Sequence, residues 1–313
     1  MKRKTKIILI ILAILVLLAI LGALFLLKSH TANSAPRRLN LPEGTTYEAL
    51  CDSLDASMTF RLMAGILGLD ERVRPGSYLI DSEMNELALV RKLRNGQQDP
   101  MRLTIGKFRT PQQLNEYLNS KLMHNDFKIP LDSFYLVLQD TYELYWTVTP
   151  EQFMQRMERE FDNYCSHQCD HPRFTVKEMI ILASIVEEET LNNAEKPLIA
   201  SVYLNRLERN MPLQADPTVK YAVGDFTLRR ILNKHLAVES SFNTYLHTGL
   251  PPAPICLPSK SSIEAMLNVP FTNYLYFCAS PSMDGSHRFA ATLAEHNRNA
   301  AAFHKALNSR GIK

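Results

Sequence analysis

The chain has 313 residues, 46% hydrophobic and 21% charged, with 35 Lys and Arg against 32 Asp and Glu. Beyond the first 28 residues, which hold five basic and no acidic side chains, the balance is 30 against 32. The basic excess therefore belongs to the N-terminus, and the absence of a basic stripe interleaved with aromatics argues against a nucleic-acid partner.

Residues 1–6 read MKRKTK and precede an uncharged run of 21 residues, 7–27, closed by Lys28. About 20 apolar residues cross the ~30 Å core of a bilayer, whereas a cleaved secretory signal has an apolar core of about 7–15. ANSA at 32–35 reads as a cleavage site, but the run before it is too long, so an uncleaved transmembrane helix over 7–27 is expected. Lys2, Arg3, Lys4 and Lys6 place the N-terminus in the cytoplasm. No second long apolar run follows. The expectation is a single-pass protein of the inner (cytoplasmic) membrane, with some two domains' length of chain outside the cytoplasm.

A polar tether, 28–37, contains Pro36. Leu39 and Leu41 alternate with polar residues, a strand pattern. Thr45 and Glu48 form a capping box for a helix to about Leu54. A second helix runs from about Ser57 to Leu67, with Gly68 in the stop position. Pro75-Gly76 marks a turn before a strand over 77–80, and a third helix, 83–94, ends at Gly96. The β-α-α-β order and the opening LPEGTTYEAL (41–50) resemble a LysM-like module, assigned here to residues 38–100. LysM modules bind N-acetylglucosamine-containing glycans; a spacer that holds the next domain off the membrane is the alternative.

The second domain is expected over 101–313. A strand covers 101–105, and Thr110-Pro111 and Thr149-Pro150 each start a helix with Thr as N-cap and Pro in the first position. DTYELYWT (140–147) holds the only tryptophan, Trp146, read as a sugar-groove wall or as core. Five cysteines, Cys51, Cys165, Cys169, Cys256 and Cys278, are too few for a disulfide framework. Cys165, His167, Cys169 and His171 alternate with a spacing that fits neither common zinc pattern, so no metal or other cofactor is expected.

Thr175 and Glu178 form a capping box, and Phe174 and Met179 stand at staple positions. The helix they start runs through IILASIVEEET (180–190). Leu182, Ile185, Val186 and Glu189 share one face at i, i+3, i+4 and i+7. Glu187 and Glu188 fall to either side. A carboxyl that continues an apolar stripe is desolvated, which raises its pKa, and a Glu protonated near neutral pH suits general acid catalysis. A solvated helix end is the alternative. A further helix is expected over about 197–209, then a loop over 211–225. A proline-rich connection holds Pro251, Pro252, Pro254 and Pro258, followed by a short helix capped by Ser261 and Glu264. A strand over 274–279 lies near a second over 287–290, and a final helix starts at Thr292 with Glu295.

In order, the motifs are LASIVEEET (182–190), ASVYLNRL (200–207), MPLQADPTVKYAVG (211–224), FNTYLHTGLPPAPI (242–255), YLYF (274–277), HRF (287–289) and EHN (295–297). This set resembles the YceG-like, MltG-type endolytic murein transglycosylases, strongly over 175–305. The resemblance implies an α+β chain: transmembrane helix, LysM-like module and mixed α+β catalytic domain. It implies a lytic transglycosylase, a lyase that cleaves the β-1,4 bond between N-acetylmuramic acid and N-acetylglucosamine in peptidoglycan. One Glu protonates the leaving oxygen and then accepts the proton of the muramyl 6-hydroxyl, which closes on C1 to leave a 1,6-anhydro end. Glu189 matches the family's catalytic Glu.

Gln214, Asp216, Thr218, Asn243, Thr244 and Tyr245 match positions expected to line the glycan groove; an Asp-Pro turn and a self-satisfied loop are the alternatives. His287 is read as binding substrate, orienting a carboxylate, or structural. The sequence departs from the family pattern at Glu195-Lys196, Phe242, Pro252-Ala253-Pro254 and SMDGS (282–286). The implied partners are nascent glycan strands and, as a family expectation, synthases such as penicillin-binding proteins. Two rivals stand beside this reading: a glycan-binding scaffold without catalysis, and a two-carboxylate muramidase with Asp216 as the second acid.

Overall fold

The computed structural model describes residues 7–8, 10–17, 22, 35–168, 174–228 and 230–310. Residues 7–8 and 10–17 are helical and exposed, while the rest of the apolar run except residue 22, the basic N-terminus and residues 28–34 of the tether lie outside the described residues, as do Cys169 and His171. Among the described residues no helix is long and apolar enough to cross a membrane, and no cluster could hold a metal ion. Cys51, Cys256 and Cys278 are free thiols.

The chain divides into two units, one of residues 1–103, 121–124 and 143–148, the other of 104–120, 125–142 and 149–313. The first unit is built from β1 (Arg37–Leu41), α1 (Tyr47–Leu54), α2 (Met58–Leu67), β2 (Gly76–Ile80) and α3 (Glu86–Asn95), so the β-α-α-β order is present. β1 and β2 pair antiparallel with Leu39 opposite Tyr78. Leu39, Leu41, Tyr78 and Ile80 face a core completed by Leu50, Phe60, Met63, Leu89 and Leu93. Ser57 caps α2 by accepting from Phe60 N, and Gly68 ends it at φ 70°, a conformation that disfavours other residues. The cap of α1 is Thr46, which accepts from Ala49 N; Thr45, the expected cap, instead turns its hydroxyl to Pro42 O. α3 likewise starts later than the pattern suggested, because Asn85 is its N-cap.

β3 (Met101–Ile105) and β4 (Asp140–Leu144) form a second two-stranded sheet, and the division between the units falls within both strands. The second unit holds α4 (Pro111–Lys121), α5 (Pro150–Gln168), α6 (Val176–Glu189), α7 (Lys196–Glu208), α8 (Asp216–Val223), α9 (Asn233–Leu236), α10 (Lys260–Leu267), β5 (Tyr276–Ala279), β6 (His287–Ala290) and α11 (Leu293–Ser309). α6 is its central helix. Every residue from Met179 to Val186 is buried, against α7, α10, Leu138, Phe161 and Ile255. The Thr175–Glu178 capping box is present in both directions. Two expectations shift: Ser259, not Ser261, is the N-cap of α10, and the segment read as a loop over 211–225 contains α8, with Pro217 in its first turn. Proline is compatible with that place because the first-turn N–H has no intrahelical partner. β5 and β6 pair antiparallel with Tyr276 opposite Ala290.

Candidate active site

The three glutamates that end α6 have three different environments. Glu187 is surrounded by donors: Lys196 Nζ at 3.1 Å, Ser259 Oγ and Ser262 Oγ both at 2.5 Å, and Ser259 N at 3.3 Å. Burial alone would raise its pKa, but the serine hydrogen bonds and the Lys196 charge outweigh that and hold it below the ordinary carboxylate range. Glu188 pairs with Lys107 at 3.1 Å and Arg109 at 3.0 Å. Glu189 has no ion-pair partner among the described residues. Its carboxyl receives the hydroxyl of Tyr203, from α7, at 2.5 Å on Oε1.

That difference sets the chemistry. Desolvation raises the Glu189 pKa to about 7; the Tyr203 hydrogen bond and the Lys220 charge oppose this, while the charges of Asp216 and Glu188 add to it. The residue is nevertheless partly exposed. A carboxyl that is half protonated near neutrality can both give and take a proton.

Tyr203 is held in turn. It is buried and packs edge-on to Phe277, with ring centroids 6.0 Å apart at 87°. Phe277 packs edge-on to His287 at 5.5 Å. Glu195 grips His287 twice, through its backbone N at 2.9 Å and its Nδ1 at 2.8 Å. An ionised carboxylate only accepts, so Nδ1 carries the proton in this contact. His287 thus meets a carboxylate other than Glu189, and it belongs to a chain of contacts that ends at the Tyr203 ring. Glu195 and Lys196, adjacent at the start of α7, therefore organise two different places: Glu195 anchors β6, and Lys196 neutralises Glu187.

The remaining expected residues separate into two groups. Gln214, Asp216 and Tyr245 have exposed or partly exposed side chains. Tyr245 donates to Asp216 Oδ1 at 2.7 Å, and Asp216 is close enough for its charge to oppose ionisation of Glu189. Gln214 sits at φ 50°, a strained backbone for a non-glycine residue, and its N–H is bonded to Thr244 O. Thr218, Asn243 and Thr244 are instead buried. Asn243 donates to Leu236 O and Val238 O, both at 2.9 Å, and accepts from Tyr245 N. Thr218 and Thr244 share a 2.8 Å hydroxyl contact, and Thr244 Oγ1 accepts from Ala215 N. Asn243 thus ties the 243–245 loop to the end of α9 and the residues after it, and Thr218 with Thr244 joins the loop to the start of α8. Trp146 lies in the other unit.

Tyr203 carried no role in the sequence reading, although it lies within ASVYLNRL. The available signal was chemical: a tyrosine within the small and apolar stretch LIASVYL (198–204) must find a partner for its hydroxyl when buried.

Comparison with known proteins places these residues in context. The profile of the YceG-like family matches residues 37–302. An endolytic murein transglycosylase of Bacillus subtilis (strain 168) is 45% identical over 126 residues, 40% of this chain and 34% of that protein. One from Streptococcus pneumoniae (serotype 2, strain D39) is 32% identical over 155 residues, 48% of this chain and 28% of that protein. These alignments span about a third of the relatives' own length. The crystal structure of a yceG-like protein from Listeria monocytogenes superposes with a TM-score of 0.54 at 26% identity, covering 85% of this chain and 99% of that one.

Proposed function

Because the chain belongs to the YceG-like family, we propose that it is an endolytic lytic transglycosylase of peptidoglycan with Glu189 as its single acid and base. One observation carries this reading. Of the three adjacent carboxyls, Glu189 alone has no ion-pair partner among the described residues, and its pKa is raised to about 7. In its protonated form it delivers a proton to the glycosidic oxygen as the C1–O bond of N-acetylmuramic acid breaks. The resulting carboxylate takes the proton of the muramyl 6-hydroxyl as that oxygen bonds to C1. No water is consumed, and the intramolecular nucleophile relies on proximity.

Asp216, held by Tyr245 and close enough for its charge to act on Glu189, supplies a negative charge that favours positive charge developing on a sugar bound at Glu189. The same charge supports the rival reading, since a muramidase needs a second carboxylate. Gln214 and Tyr245 offer exposed amide and hydroxyl groups to the N-acetyl and hydroxyl groups of the glycan.

The first unit completes the proposal as a LysM-like module, supported by its β-α-α-β order. Residues 7–27 act as a single-pass anchor in the inner membrane, supported by the length of the apolar run and the basic residues before it. An anchored enzyme reaches only wall close to the membrane, which suits termination of nascent strands beside peptidoglycan synthases.

The test is incubation of the purified chain, wild type and Glu189→Gln, with uncrosslinked glycan strands, and identification of the products by mass spectrometry. Anhydromuramic ends from the wild type alone are expected. Free reducing ends would replace this reading by the muramidase with Asp216. Binding without product from either protein would replace it by the scaffold.

A further inference from the structure

α2 is apolar on two sides. Phe60, Met63 and Ala64 are buried in the first unit's core. On the other side, Met58, Leu62 and Ile66 recur every fourth residue and are 82%, 59% and 72% exposed. They form one stripe along the helix, because residues four apart stack on one face. Arg61, also exposed, lies on that side, its Nε bonded to Ala56 O at 3.4 Å. A surface helix ordinarily turns charged and polar residues outward, so a run of large apolar side chains there marks a contact surface.

We propose that this face of α2 rests on the lipid bilayer, with Met58, Leu62 and Ile66 in the boundary between headgroups and acyl chains and Arg61 at lipid phosphates. The proposal rests on the reading of residues 7–27 as a membrane anchor. Three features select lipid as the occupant. The apolar run ends at Leu27 and β1 begins at Arg37, and the intervening residues reach at most roughly 30 Å when fully extended. The module is therefore held beside the bilayer, at a high effective concentration that makes even a weak contact count. The stripe is also small: three side chains fall far short of the ~20–30 residues per side of a stable protein interface. Finally, a flanking arginine whose stem lies along apolar surface can extend its charge to an anionic headgroup.

The experiment uses the full chain in vesicles of phosphatidylethanolamine and phosphatidylglycerol with brominated acyl chains. Trp146 is the only tryptophan, so Trp146→Phe provides a silent background for one reporter at a time. In Leu62→Trp, emission should shift to the blue and be quenched about twofold or more, as for an indole at the headgroup–acyl boundary. Adding Ile66→Glu should abolish that quenching, and Arg91→Trp, on the exposed side of α3, should show none. A Leu17→Trp reporter examines the anchor itself. Quenching of Leu17→Trp without quenching of Leu62→Trp overturns the docking proposal and leaves the anchor standing. No quenching of either reporter overturns both. A blue shift of Leu62→Trp that is unquenched and grows with protein concentration assigns the face to a second copy of the chain and overturns the lipid contact.

Discussion

The hydroxyl of Tyr203 donates to Oε1 of Glu189 at 2.5 Å, joining the C-terminal end of α6 to the middle of α7. This bond favours the ionised carboxylate, against the desolvation that dominates its pKa. It also fixes one oxygen, leaving Oε2 for proton transfer. Tyr203→Phe should therefore raise the Glu189 pKa above about 7, moving the alkaline limb of the kcat/KM profile upward by on the order of one unit. kcat should fall on the order of tenfold or more, with KM little changed. A loss of thermal stability with no movement of the pH limb would reduce Tyr203 to packing.

The raised pKa of Glu189 also has a stability consequence. The folded state holds this proton more tightly than the unfolded chain, where the value is 4.5, so stability falls as pH rises from 4.5 to about 7. The decline is up to about 3 kcal/mol. Glu189→Gln keeps a neutral group in the same place, so it should raise Tm relative to wild type at pH 8 and leave it unchanged at pH 4. Equal effects at both pH values would contradict the assignment. Activity of the wild type should fall above about pH 7, as the acid form is lost.

Lys196 and Glu187 behave oppositely. Both are largely buried, 3.1 Å apart, so Lys196→Met leaves a buried charge with no cation and should cost on the order of 3–5 kcal/mol, read by urea unfolding. Adding Glu187→Gln should recover most of it. Because the Glu187 pKa is depressed, its contribution is present above the unfolded value and is lost as pH falls through the folded one. Lys196→Met should shrink that acid-side loss.

Buried and exposed members of the expected groove should separate by what they change. Asn243→Ala strands the carbonyls of Leu236 and Val238 and should cost about 1–3 kcal/mol for each. Gln214→Ala, at an exposed side chain, should alter stability by no more than about 0.5 kcal/mol and act on KM for glycan strands. A stable Asn243→Ala protein with raised KM would assign Asn243 to the groove.

Glu195 and His287 should act as one unit. Both Glu195→Gln and His287→Ala remove the 2.8 Å contact between carboxylate and imidazole, while the backbone N–H of residue 287 keeps its acceptor in His287→Ala. Their effects on kcat should therefore overlap in the double variant rather than add. Additive losses would mean that His287 has a separate role.

Local signals in the sequence determined most of the elements. Thr175 with Glu178, Ser57 with Gly68, and Thr292 with Glu295 mark helix ends by bonds between residues three or four apart or by a glycine conformation, and these are found as expected. α8 was not legible, because QADPT satisfies a turn as well as a helix start and only packing against its neighbours distinguishes them. Glu189 continues the stripe of Leu182, Ile185 and Val186 in the sequence, but that stripe is not what isolates it, since α6 is buried on every side from Met179 to Val186. Glu187, Glu188 and Glu189 are chemically identical in sequence. What separates them is which cations and hydroxyls arrive from distant segments: Lys196 and the Ser259–Ser262 turn, Lys107 and Arg109, and Tyr203. A carboxyl's pKa depends on charge and solvent within a few ångströms, so tertiary structure alone decided that the value rises at Glu189 and falls at Glu187.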